Sequence, residues 1–507
     1  MPLRAGSDRP GQAILPLLRV SRSSPTLGPI ATHDEFEFEP RMSDADALMW
    51  TIEKDPLLRS TITTVMVFDR PVDRERLRLR LDRVSRVIPR LRQRVRSNTL
   101  SIAPPRWDPD PNFDLAYHVR STHSRGDGLD PLGRPLPGGP LREVFSIAEP
   151  IAMQGFDRAR PLWEFTLVDG LADDRCALIT KVHHAITDGV GGVKLMMELL
   201  DVDAQGATDR ALPPVAPNEE RGEGGRVIDA LVYETRRQGA ALARTAASAG
   251  RHAGRLREDP LGLGTELIDT ASSIARMVSP ALAPLSPLMT QRSLSVHFEE
   301  LQVPLEPMKR AAKLVSGKLN DAFVAAVTGG LARYHHEMGL DVRQLRMTMP
   351  INIRTHATER VAGNRFTPLR FPVPVDIADP IARMSAVRTL MARQRQEPAL
   401  ALTDTLAGII NRLPATASTT LFGSMLKGID FITSNVPGPP VPVYLAGARL
   451  ERQIAFGPMT GAAMNITLLS YVDDLNVGVN TDPRAVTEPG LLLDCLVDAF
   501  DEIVKLV

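Results

Sequence analysis

The sequence predicts an α/β protein with mixed sheets flanked by helices, and three observations predict it. Short β-branched or apolar runs, such as Thr61 to Phe68 and Cys176 to Thr180, have the length and content of strands. Between such runs lie segments with apolar residues at helical spacing, among them Val193, Met196, Met197 and Leu200. Pro161 to Val168 and Cys176 to His184, with a turn beginning at Asp169-Gly170, read as a hairpin, and a similar pattern restarts near Ser293.

The elements follow in order. Ser43 is placed to cap a helix that begins with Asp44 and Asp46 in its first turn. Thr61 to Phe68 is a strand, and Arg74 to Val87 carries Leu77, Leu81 and Val84 at helical spacing under a basic face. That face continues through Arg90, Arg92, Arg94 and Arg96, which could meet phosphates or anionic lipid heads, a solvated helix face being the simpler reading. Trp107 and the run from Phe113 to Val119 read as a further strand, before a Gly/Pro-rich loop from Ser124 to Pro140. Antiparallel pairing counted outward from the turn brings Pro161 and Trp163 to the sheet end that carries His183 and His184.

Asp201 to Gly225 has linker composition, and Arg226 to Arg257 is Ala/Arg-rich and helical. A basic amphipathic helix of this kind is either a connector or a membrane-surface element. The second half offers a strand at Ser293 to Leu301, helices at Pro307 to Val315 and Val324 to Tyr334, and a strand at Leu345 to Arg354. A helix over Met384 to Arg395, a strand at Ile429 to Ser434, a final hairpin and a closing helix from Leu491 to Leu506 complete it. The domain expectation is a mobile N-terminal extension at 1–41, a first domain at 42–200, linker and connecting helices at 201–292, and a second domain at 293–507.

The chain has 507 residues, with Lys plus Arg and Asp plus Glu both equal to 60, so no global basic field argues for nucleic acid. Cys176 and Cys495 are too few and too far apart for a disulfide framework, and Cys176 reads as an inert core thiol. No run of eighteen apolar residues predicts a membrane span, and residues 1–41 hold no continuous apolar core of a secretory signal. The absence of GxxxxGK[ST], of GxGxxG after a strand and of GxSxG argues against nucleotide hydrolysis, dinucleotide redox chemistry and the usual serine hydrolase plan.

The motif that carries chemistry is His183-His184-Ala185-Ile186-Thr187-Asp188-Gly189, in the turn between the apolar strand and the following helix. Side chains on a strand alternate faces, so one histidine is the chemist and the other a structural neighbour. A neutral imidazole suits proton transfer at neutral pH. Adjacent histidines diverge and no cysteine cluster or HExxH accompanies them, so no metal site is expected.

His-His-x-x-x-Asp-Gly after an apolar strand resembles the signature of the CoA-dependent acyltransferase superfamily. Further stretches, in order, resemble its bacterial wax ester synthase/diacylglycerol acyltransferase family. These are Met42 to Trp50, Pro161-Leu162-Trp163-Glu164, Asn320-Asp321, Pro350 to Arg354, Gly363-Asn364, Ser434 to Pro439, and Asn465-Ile466-Thr467 with Ser470-Tyr471. The likeness spans about 42–507 and departs at the N-terminal extension and at Val472-Asp473-Asp474, where the family more often has a glycine turn.

The resemblance implies two chloramphenicol-acetyltransferase-like domains with the active site at their interface. It implies transfer of an acyl group from acyl-CoA, as co-substrate and without a bound cofactor, to diacylglycerol or a long-chain alcohol. By it, His184 is the general base, with His183 beside it and Asp188 fixing the turn. Gly189, Asn320, Ser434 and Thr467 are the substrate-binding or oxyanion candidates, Asn320 first. The expected setting is cytoplasmic, with peripheral contact to the inner membrane or a lipid droplet. Competing expectations are esterification of a polyketide or other secondary-metabolite hydroxyl, and lipid binding without turnover.

Overall fold

The computed structural model describes residues 38–507 except 98–102, 126, 130–132, 137–140, 187–188, 207–211, 216–221, 259–267, 277–278, 282 and 353–365. Its first half comprises α1 (Asp44–Ile52), β1 (Thr61–Phe68), α2 (Arg74–Val87), β2 (Gln93–Arg96), β3 (Arg106–Pro109), α3 (Leu115–His118), β4 (Val119–His123) and α4 (Arg142–Met153). There follow β5 (Trp163–Leu171), β6 (Arg175–His183), α5 (Gly189–Leu199), α6 (Glu223–Glu258) and α7 (268–276). The second half begins with β7 (His297–Pro304), α8 (Leu305–Leu314), α9 (Leu319–Glu337), β8 (Gln344–Asn352), β9 (Phe366–Pro374) and α10 (Pro380–Gln394). It ends with α11 (Thr403–Ile410), α12 (Ala415–Leu426), β10 (Phe431–Val436), β11 (Tyr444–Leu445), β12 (Ala448–Phe456), β13 (Met464–Tyr471), β14 (Asp474–Thr481) and α13 (Pro489–Val504).

Local chemistry explains the boundaries. The Ser43 hydroxyl accepts the Asp46 N–H at 3.0 Å to start α1, and the Asp73 carboxylate accepts the N–H groups of Glu75 and Arg76 to start α2. Of the basic run only part is a solvated helix face: Arg78 pairs with Glu75 in solvent, whereas Arg86, and Arg92 from the turn after α2, pair with a mostly buried Asp82, and Arg90 is buried over the Trp107 ring. The expected strand from Phe113 to Val119 is instead a helical turn, α3, followed by β4. Asp114 caps the Ala116 N–H at 2.9 Å, and the turn lets the His118 ring stack between Phe113 and Trp163, at centroid distances of 5.3 and 4.5 Å.

Residues Glu37–Val507 form one compact unit. Its described residues hold two six-stranded mixed sheets, ordered β11-β12-β1-β6-β5-β4 and β7-β14-β13-β10-β8-β9, and a separate β2-β3 pair. Mixed α/β architecture is thus the fold, as expected. In the second sheet Met347, Phe431, Met464, Ile466, Leu468, Val477 and Val479 belong to one apolar core with residues of α8, α9 and α13. Strand alternation puts Thr348, Ser434, Asn465, Thr467, Asn476, Gly478 and Asn480 on the other face.

The join between the halves is β12. It comes from the second half of the sequence yet pairs antiparallel with β1 at the centre of the first sheet, Thr63 opposite Phe456 and Val65 opposite Ile454. Its backbone also lies against the polar face of the second sheet. A Cβ at Gly478 would fall 2.3 Å from the Ala455 carbonyl oxygen, a distance no side chain tolerates, so glycine is what permits the approach.

Candidate active site

Strand β6 delivers the histidine pair. It is flanked by β1 and β5, and the expected hairpin register is present, with Trp163 opposite Val182. The N–H of His183 bonds to the Leu162 carbonyl at 3.0 Å, and the next N–H, that of His184, bonds to Ser60 on the other side at 2.8 Å. Successive backbone groups thus point to opposite neighbours, as strand geometry requires. The Pro161-Leu162-Trp163 stretch supplies the first of these acceptors, and buried Trp163 anchors the segment by donating its indole N–H to Leu91 at 2.8 Å.

The two imidazoles have different surroundings. His183 is fully buried. Its Nδ1 accepts the Ala185 N–H at 3.0 Å, so the ring proton sits on Nε2, which donates to Glu53 Oε1 at 2.9 Å. Trp50 and Phe156 enclose the ring edge-on, at centroid distances of 5.7 and 6.0 Å. The His183 carbonyl then accepts the Ile186 N–H at 2.9 Å, closing the turn in which half-buried His184 sits. Thr187 and Asp188 lie outside the described residues, and Gly189 is the first residue of α5.

Glu53 has no counterpart among the residues the sequence singles out. Its Oε1 accepts from His183 and, at 2.6 Å, from the backbone N–H of Ser60, the residue whose carbonyl holds His184. Burial pushes this carboxyl up, but His183, the Ser60 N–H and Arg158 together hold it below its ordinary range. The one sequence clue is that Glu53 is the C-cap of α1, where the helix dipole disfavours negative charge. Two residues before His183, Lys181 is completely buried, 3.5 Å from Glu164 Oε2 and 4.5 Å above the Phe156 ring, and burial lowers its pKa.

The oxyanion candidates do not all share one face. Ser434 and Thr467 are register neighbours on β10 and β13, on the polar face of the second sheet. The Thr467 hydroxyl donates to Asn465 Oδ1 at 2.9 Å and accepts the Gly457 N–H at 3.3 Å, which braces the chain leaving β12. Asn320, in the first turn of α9, donates to Met349 Sδ at 3.4 Å and so meets the sheet from its helix-covered face. A thioether is a weak acceptor, so this amide can be redirected at little cost. Its neighbour Asp321 is committed to the helix end, accepting the Lys318 N–H at 2.7 Å. Arg354, Gly363 and Asn364 lie outside the described residues.

Where Thr61 stands opposite His183, a cavity of about 70 Å³ opens between the sheets, lined among others by Thr61, Thr63, Phe298, Phe456, Asn480 and Asp482. It has room for a few water molecules and not for an acyl chain. Among the described residues no helix is long and apolar enough to cross a membrane, and no group of three His, Cys, Asp or Glu side chains could hold a metal.

The wax ester synthase/diacylglycerol acyltransferase catalytic domain model matches residues 42–323, and the WS/DGAT C-terminal domain model matches 362–504. A Mycobacterium tuberculosis H37Rv protein provisionally named as a diacylglycerol O-acyltransferase is 35% identical over 486 residues, which is 92% of this chain and 93% of that protein. A second protein of that strain, named likewise, is 29% identical over 483 residues, or 91% and 96% of the two chains. The solved wax ester synthase/diacylglycerol acyltransferase from Marinobacter aquaeolei VT8 superposes with a TM-score of 0.58 at 20% identity, covering 91% of this chain and 98% of that one. The first condensation domain of the calcium-dependent antibiotic synthetase gives 0.59 at 18% identity, covering 91% and 96%. At these identities the two solved structures bear on the fold alone.

Proposed function

Because the chain belongs to the wax ester synthase/diacylglycerol acyltransferase family, and is an acyltransferase, we propose that it moves a long-chain acyl group from acyl-CoA to the hydroxyl of diacylglycerol or a long-chain alcohol. The observation that carries the residue roles is the state of His183, whose two ring nitrogens are both spent on Glu53 and Ala185. Proton transfer then falls to His184, which the turn holds by its backbone.

In this reading His184 takes the proton of the acceptor hydroxyl as that oxygen attacks the thioester carbonyl carbon. The tetrahedral oxyanion collapses, the C–S bond breaks, and the imidazolium returns the proton to the CoA thiolate. No covalent enzyme intermediate is needed. Asn320 is the first candidate to donate to the oxyanion, with Ser434 and Thr467 behind it. Asp188 and Gly189 shape the turn after the base. The acceptors are apolar and reside in bilayers or lipid droplets, so the enzyme meets them by peripheral contact.

The test is ester formation by purified protein from palmitoyl-CoA, with dioleoylglycerol and hexadecanol offered separately and His184→Ala measured in parallel. Ester from the wild type alone supports the proposal and identifies the acceptor. A folded wild type that releases no CoA with either acceptor, or a His184→Ala variant with normal turnover, overturns it.

A further inference from the structure

Ser60 stands immediately before β1, and both of its backbone groups are spent on the histidine turn. Its N–H donates to Glu53 Oε1 at 2.6 Å, and its carbonyl accepts the His184 N–H at 2.8 Å. Its side chain is not so engaged. The residue is 1% exposed, and its hydroxyl has no hydrogen-bond partner among the described residues. A buried hydroxyl left unpaired weakens a fold, so the position is costly unless something else completes the bond. Ser124 and Thr348 carry hydroxyls in the same condition, but neither stands in register with the proposed base.

The place of the Ser60 hydroxyl follows from the strand register. Thr61 stands opposite His183 and Ile62 opposite Val182, and the bond from the His184 N–H to Ser60 extends this antiparallel pairing by one residue. Residues directly opposite one another project their side chains to the same face. Ser60 therefore shares a face with His184, while Thr61 and His183 share the other. Asn320, Ser434 and Thr467 all come from the second half of the chain. Ser60 belongs to the half that carries the base, and one backbone hydrogen bond ties the two together.

We infer that Ser60 is a further catalytic residue, whose hydroxyl donates to the thioester carbonyl oxygen as that atom becomes an oxyanion. The role rests on the acyltransferase reading above. The attacking oxygen and the oxyanion are bonded to one carbon, so a base and a donor side by side on one face can hold both at once. As the new C–O bond forms, the carbonyl electron pair moves onto oxygen and accepts the hydrogen bond that the Ser60 hydroxyl otherwise lacks. The serine proton stays on Ser60 throughout. When the C–S bond breaks, the pair returns to the carbonyl, and the thiolate takes its proton from His184. The bond is strongest where negative charge on the oxygen is greatest, which is what lowers a barrier.

The test is steady-state CoA release from palmitoyl-CoA, with dioleoylglycerol or hexadecanol, by the wild type, Ser60→Ala and Ser60→Cys, beside urea unfolding of each. Ser60→Ala is expected to lower kcat by about 10²-fold, with KM for palmitoyl-CoA within about twofold of the wild type. Its urea midpoint is expected to be unchanged or higher, because the substitution removes a buried group that pairs with nothing among the described residues. Ser60→Cys, of similar size but a weaker donor, should fall between the two in kcat. A serine that merely supports the fold would show stability and activity lost together, and that result overturns the inference. So does a Ser60→Ala variant with kcat within about twofold of the wild type. An acyl-Ser60 adduct formed from palmitoyl-CoA without acceptor, located by peptide mass spectrometry, also overturns it, since the hydroxyl would then be a nucleophile. No CoA release by a folded wild type with either acceptor defeats the acyltransferase reading and this role with it. Normal wild-type turnover beside an unimpaired Ser60→Ala defeats the role alone.

Discussion

One oxygen of Glu53 receives the Nε2 proton of His183 at 2.9 Å and the backbone N–H of Ser60 at 2.6 Å. The carboxylate thereby fixes a tautomer on β6 and the start of β1 together. Because the Ser60 carbonyl holds the His184 N–H, the backbone beneath the proposed base is anchored through the same group.

The two histidines should therefore fail differently. His183→Ala strips the largely buried Glu53 carboxylate of its ring donor and is expected to cost about 2–4 kcal/mol of stability as well as activity. His184→Ala is expected to abolish turnover with a change in unfolding free energy below about 1 kcal/mol. Urea unfolding of both variants separates the roles, and a stable, active His183→Ala would refute this account of the pair.

The Glu53 carboxyl is held below its reference value of 4.5, so its ionised form is favoured in the folded state. Its contribution is present above that value and lost as pH falls through the lower folded one. Glu53→Gln keeps an acceptor oxygen but cannot titrate. The wild type should lose unfolding free energy more steeply than this variant below pH 4.5, in urea titrations across an acid series. Parallel curves would remove Glu53 from the ledger.

Thr467 and Ser434 offer a contrast on neighbouring strands. Thr467 is committed to Asn465 and Gly457, so Thr467→Val is expected to act chiefly on stability, by about 1–3 kcal/mol. If Ser434 faces the developing oxyanion, Ser434→Ala should lower kcat by about 10²–10³ with unfolding unchanged. Steady-state kinetics beside thermal unfolding would tell which hydroxyl the reaction uses.

Gly478→Ala drives a methyl group towards the Ala455 carbonyl and must displace β12. A loss of about 1–3 kcal/mol is expected, together with reduced activity because β1, which β12 pairs with, also pairs with the strand of the histidines. An unaltered unfolding curve would mean that the two sheets give way more easily than this contact implies.

Burial pushes the Cys176 thiol up to about 12. At pH 8 only roughly one molecule in ten thousand then carries the thiolate, and iodoacetamide should leave Cys176 unmodified until urea unfolds the chain. Rapid native labelling, located by peptide mass spectrometry, would contradict the buried position.

What the sequence made legible was local. Ser43 announces α1 by capping chemistry, and the β5-β6 hairpin brings Trp163 beside the histidines as expected, although it turns at Ala172–Asp174, with Asp169-Gly170 still inside β5 at an irregularity in the ladder. Phe113 to Val119 departs from the strand its apolar run suggests because Asp114 turns the chain there and His118 fills the space against Trp163. Beyond its place at the end of α1, nothing local marks Glu53, because its partners lie 7 and 130 residues away. The pairing of Val65 with Ile454 was equally hidden, since nothing in either strand's alternation names a partner so distant in the chain.

The placement of β12 also limits how such a chain could be rearranged by recombination. A chimera joined anywhere between Phe68 and Ala448 would take β1 from one parent and β12 from another, so the central ladder of the first sheet would be a hybrid. Inheritance of the amino-terminal segment by itself would bare the outer edge of β1, a ready template for pairing with other chains. A unit exchanged with that ladder intact must carry β1, β12 and everything between, and because Glu53 of α1 holds His183 and β13 and β14 pair with β10 and β7, α1 and the last hairpin have to travel with it.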